Sequence, residues 1–244
     1  MKEKVERKNL SGWKIKSTAE TIILSVILLN AAGCSIKPEA EVIGKEKKSP
    51  EIEYSINYVQ FKNKGKEEAL EEINLKMQED ELNFEKRIEE ALCSWKEWEE
   101  FCEKREGGNT EPFNFEMNAE TAFYKNYALV KESFYGYEGG AHGFYFQKTF
   151  CYDFKNRKQA GIEEISGLKA EEISAVCKKK IVENYYGDFT AAEFEEKYSQ
   201  WVNDACSVEN VKRLKFFAEN GKIKVIFDPY EAGPWSFGVI EVEL

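Results

Sequence analysis

The one histidine of this 244-residue sequence, His142, stands in YGYEGGAHGFYF (Tyr135 to Phe146), between two glycine clusters and among aromatic residues. An imidazole has a free pKa near neutrality and can pass a proton as general acid or base. A pair of carboxylates can hydrolyse a glycosidic bond. Glu138 in this stretch and Glu231 in DPYEAGPW are the acids set in glycine-bearing loops among aromatic residues. Against such chemistry, no serine or cysteine motif marks a nucleophile beside His142, and Cys151 sits in an alternating run that gives it no special place. Glycines here have a simpler use, supplying the positive φ angles of a turn that joins two strands, with the imidazole capping nearby backbone. No catalytic residue is assigned. Tyr137, Glu138, His142, Tyr230, Glu231 and Trp235 are instead candidates for ligand contact, because Tyr230 and Trp235 can form a sugar-stacking or protein-docking platform.

Metal chemistry has even less to build on. The sequence has no C-x-x-C pair and a single histidine, so the usual Cys/His zinc spacing cannot be assembled, and neither metal nor cofactor is expected. Five cysteines follow Cys34, at Cys93, Cys102, Cys151, Cys177 and Cys206, an odd number that leaves at least one thiol unpaired within a chain. Cys93 and Cys177 fall on apolar helical faces, where a free cysteine acts as a small hydrophobe.

The elements that must carry these residues follow from periodicity. EIEYSINYVQF alternates from Ile52 to Tyr58 as a half-buried strand. Between Lys66 and Arg105, Leu70, Ile73, Met77, Ile88, Leu92, Trp95 and Cys102 recur at helical steps, with a register slip near 78–83 that allows a break. AFYKNYALVKESFY and GFYFQKTFCYDF read as two amphipathic strands linked by the glycines. Two helices follow: Ile173, Val176, Cys177 and Ile181 stripe the first, and Thr190 with Glu193 caps the second ahead of Phe194, Tyr198 and Trp201. Asn220-Gly221 marks a tight turn between late strands, and VIEVEL closes the chain. Grouped strands with hairpin links predict an α+β fold, an antiparallel sheet backed by helices.

The N-terminus carries a different signal. A basic opening leads into TIILSVILLNAAGC, whose apolar core of about a dozen residues is too short to span a bilayer and suits a signal peptide. Ala31, Ala32 and Gly33 before Cys34 resemble the bacterial lipobox, which predicts lipidation of Cys34. Residues 1–33 then form a lipoprotein signal peptide, 34–50 a flexible polar tether and 51–244 the extracytoplasmic domain, in halves 51–135 and 136–244. Beyond residue 33 the chain holds 29 basic and 42 acidic residues, so nucleic acid is repelled and cationic partners are favoured.

Three stretches add a likeness. YGYEGGAHGFYFQKTFCYDF, GIEEISG and FAENGKIKVIFDPYEAGPWSFGVIEVEL together resemble the RsiV-like extracytoplasmic domain family, found in a lysozyme-sensing anti-sigma factor and beside a peptidoglycan deacetylase. The resemblance implies a domain that binds lysozyme or peptidoglycan fragments, held at the cell membrane by the Cys34 lipid. A hydrolase using Glu138, His142 or Glu231 and a purely structural envelope protein are the alternatives.

Overall fold

Helix α1 (Glu68–Glu103) buries one stripe along its whole length: Leu70, Ile73, Met77, Glu81, Phe84, Ile88, Ala91, Trp95 and Cys102. The structure, a computed structural model, describes residues 38–62, 67–104 and 111–244, and of residues 1–37 only the backbone of Thr21–Leu24 (β1). Cys34 and, β1 apart, the expected signal peptide 1–33 lie outside the described residues. The helix runs through the 78–83 register slip unbroken, because the slip is a polar residue, Glu81, occupying a position on the buried stripe. Two apolar clusters flank it, one around Leu70, Ile73 and Met77 and the other around Phe84, Ile88 and Trp95.

This helix connects β3 (Ile52–Lys62) to β4 (Phe113–Tyr124), which pair in parallel, Ile52 opposite Phe113 and Asn57 opposite Asn118. Parallel neighbours require a crossover of this kind. From β4 the chain runs back and forth through β5 (Tyr127–Tyr137), β6 (Phe144–Asp153) and the two-residue β7 (Lys158–Gln159). On the other side β2 (Glu39–Lys48) pairs antiparallel with β3, and the β1 backbone pairs along β2 from Thr21 opposite Lys45 to Leu24 opposite Val42. Helix α1 packs on one face of this mixed sheet. The opposite face, through Leu129 and Cys151, meets a second antiparallel sheet of β8 (Lys215–Glu219), β9 (Lys222–Phe227) and β10 (Ile240–Glu243). With it pack α2 (Ile162–Ser166), α3 (Ala170–Tyr185), α4 (Ala191–Lys197) and α5 (Ser199–Ala205). The α+β expectation holds, with one parallel pair in the main sheet.

Local details depart from the sequence reading where charge or turn chemistry hides the pattern. Ten residues of the expected tether form β2, whose inward-reaching Lys45 pairs with Glu81 and Glu85 of α1, so its buried face does not read as apolar. AFYKNYALVKESFY holds the end of one strand and the start of the next, turned at Lys125, which takes φ 53°. The helix begun at Thr190 breaks at Tyr198 into α4 and α5, leaving Trp201 exposed and Val202 buried in its place. Cys177 is buried as expected, whereas Cys93 points to solvent and Cys102 is the buried thiol of α1.

Candidate recognition surface

Two loops distant in sequence meet at one end of the molecule. The first, Glu138–Gly143, links β5 to β6. Gly139 and Gly140 take φ of 87° and 95°, the left-handed turn geometry expected of them. Gly139 also rests on α1, where a Cβ would come within 2.8 Å of the Trp98 ring. A Cβ on Gly143 would strike the Gly136 carbonyl, so the two ends of the loop approach too closely for any other residue. The Tyr137 hydroxyl donates to the Gly140 carbonyl at 3.3 Å. Glu138 accepts from Arg87 Nε at 2.8 Å, and the Arg87 guanidinium lies 3.8 Å from the centre of the Phe144 ring.

The second loop follows β9. Asp228 is nearly buried, and its Oδ2 accepts from the Gln147 backbone N–H at 2.9 Å and from Lys215 Nζ at 2.7 Å. Glu231 accepts from the same Lys215 at 2.6 Å and, through Oε2, from the Asp228 N–H at 2.7 Å. Burial raises the pKa of Asp228, opposed by Lys215 and the Gln147 N–H. This clasp fixes the loop to the edge of β6 and turns Tyr230 outward at φ 72°, a conformation that costs an L-residue about 1–2 kcal/mol. The Tyr230 N–H donates to the Gly233 carbonyl at 3.1 Å, and Tyr230 remains 52% exposed.

The loops join through their rings. His142 stacks on Trp235 with centroids 4.4 Å apart and planes inclined by 18°, and Tyr230 lies 5.7 Å from Trp235 and 6.4 Å from His142. His142 Nδ1 lies 2.8 Å from the Gly143 carbonyl, the backbone contact anticipated for it. Three of the six candidates therefore share one surface. The other three support it: Tyr137 closes the first loop, Glu138 ties that loop to α1 and Glu231 locks the second. Both candidate acids are held by a cation, Glu138 by Arg87 and Glu231 by Lys215. Sequence reasoning missed Asp228, Lys215 and Arg87, because their roles depend on partners 13 to 81 residues away.

No family model matches the sequence, and no curated protein matches it. Its fold is similar to the crystal structure of a DUF3298 family member from Bacteroides fragilis, with TM-score 0.58 and 13% identity over 85% of this chain and 90% of that one. The chain has a DUF3298-like fold. A DUF3298 family protein from Pseudomonas aeruginosa matches with TM-score 0.49 and 14% identity over 86% of this chain and 92% of that one. At these identities the DUF3298 likeness concerns the arrangement of elements and assigns no role to a residue.

Proposed function

We propose that this chain is an envelope-anchored, non-enzymatic binding protein, lipidated at Cys34, whose contact surface is the patch of His142, Tyr230 and Trp235. The observation that carries the reading is the convergence of two rigidly held loops on three surface rings, one of them kept exposed in a strained backbone conformation. Strain of this kind persists where the surroundings enforce it and tends to gather at functional sites. Aromatic rings with an apolar face and a polar edge are the usual anchors of protein and sugar recognition. The resemblance to RsiV-like domains nominates lysozyme as ligand, with wall fragments as the other source. An acidic domain would draw in a strongly basic protein by complementary charge. Cleavage before Cys34 would remove β1 and leave β2 as the sheet edge, guarded by Glu39, Glu41, Glu46, Lys47 and Lys48 against pairing with another chain.

Titration calorimetry of the full-length chain with lysozyme, at low and at physiological salt, tests the reading. Saturable binding that weakens with salt is expected, and Trp235→Ala should weaken it by about 2 kcal/mol, roughly 30-fold, as for a central aromatic anchor. Absence of heat with lysozyme and with soluble wall fragments at both salts would refute a binding role. Release of sugar from cell walls that stops in His142→Ala would replace it with hydrolysis.

A further inference from the structure

At the centre of the main sheet, facing α1, lies a carboxyl group that has lost all contact with water. Glu132 is 0% exposed, between Val130 and Phe134, which belong to the two apolar clusters flanking Glu81. Among the described residues no N–H or hydroxyl donates to either of its oxygens. Its surroundings can be read element by element. On β4 its cross-strand neighbour is Ala119, which carries no charge, and on β6 it is Lys148. That lysine turns its ammonium to Asp80 of α1, whose side chain is 11% exposed. The Glu132 carboxyl is within hydrogen-bonding reach of Asp80. Beside them Glu81 is paired with Lys45, which also holds Glu85 at 2.9 Å.

The belt is short of positive charge. Four carboxyl groups, Asp80, Glu81, Glu85 and Glu132, face two ammonium groups, Lys45 and Lys148. Lys45 is taken up by Glu81 and Glu85, and Lys148 by Asp80. An ionised, donor-less carboxylate at such a depth would cost several kcal/mol. A protonated one costs little, because its O–H can donate to Asp80 while Lys148 neutralises the Asp80 charge. We infer that Glu132 is protonated in the folded chain, its O–H directed at Asp80, and that release of this proton to solvent leaves two adjacent carboxylates which push the middle of α1 off the sheet. No oxidant or other reactant is needed: one O–H bond breaks, and the proton goes to water. Asp80 lies two helical turns before Arg87, which holds Glu138, so the belt also bears on the loop below the aromatic patch.

The direction of the response follows from linkage. Burial, then the negative charge of Asp80, pushes the Glu132 carboxyl from 4.5 up to about 8, against the pull of Lys148. A folded-state pKa above the unfolded value gives stability that is complete below about 4.5 and gone once pH has risen through about 8. The test is backbone hydrogen exchange of the full-length chain over residues 77–84 at pH 6 and pH 9, corrected for intrinsic rates, in wild type and Glu132→Gln. Glutamine keeps the shape and donates to Asp80 without ionising. Protection should fall about tenfold or more in wild type, the equivalent of one pKa unit, and by less than about twofold in the variant. Equal loss in both would overturn the inference. Should the variant fail to fold, carbon-13 titration of the glutamate side chains in the wild type decides: a carboxyl carbon titrating near pH 8 is expected, and every glutamate titrating below about pH 5.5 overturns it. Neither readout depends on the binding role proposed for the loops.

Discussion

The two loops that meet at His142, Tyr230 and Trp235 are held by opposite means. The Glu138–Gly143 loop owes its shape to glycines that let backbone and rings approach, and its ion pair, Arg87–Glu138, is partly solvent-exposed. The loop after β9 has a tyrosine where a left-handed residue is required, and is fixed by a nearly buried aspartate shared between a strand N–H and a lysine. Steric permission shapes the first and charge clamps the second. Their mutational responses should therefore differ in kind, with polar changes damaging the second loop and small increases in volume damaging the first.

Asp228→Ala should have the largest effect. It leaves the Gln147 N–H without its acceptor and strips Lys215 of its buried partner, and urea unfolding should register a loss of about 3 kcal/mol. A loss below about 1 kcal/mol would mean that Lys215 and Glu231 hold the loop alone. Next comes Gly139→Ala, which drives a methyl into the Trp98 ring and keeps an unfavourable φ, at about 2 kcal/mol by the same measurement. Glu138→Gln should cost the least, under about 1 kcal/mol, and less still at high salt, because the pair is exposed and Arg87 keeps its place over Phe144. A larger effect for Glu138→Gln than for Asp228→Ala would reverse the comparison.

Much of the fold was legible in the sequence because two faces of alternation and one long helical stripe survive in it. Phe144, Phe146, Phe150 and Tyr152 do face α1, and Leu129 and Cys151 face the second sheet. Asn220 and Gly221 make their turn at φ 51° and 77°, and Thr190 and Glu193 cap each other. What stayed hidden depends on distant partners. The β2 strand looks like a polar tether because its inward contact is an ion pair with a helix about 40 residues on. The Asn57–Asn118 side-chain bond, 2.9 Å long, joins strands across a 61-residue separation that no local pattern reports. At the site, the glycines announced a turn and the aromatics a platform, but nothing local told that Glu231 would be spent on Lys215 while Tyr230 remained outside.

The crossover through α1 also ranks the parts of the chain by the order in which they can assemble. Strands β4, β5 and β6 are joined by short turns, so their register can be set by local closure alone. Strand β3 meets β4 only after the intervening chain, α1 included, has been laid down, and closing so long a segment adds an entropic cost that grows with its length. The hairpin β2–β3, itself closed by a short turn, is thus the margin of the sheet that docks on β4 late. Any pull exerted through a lipid at Cys34 would load that margin first.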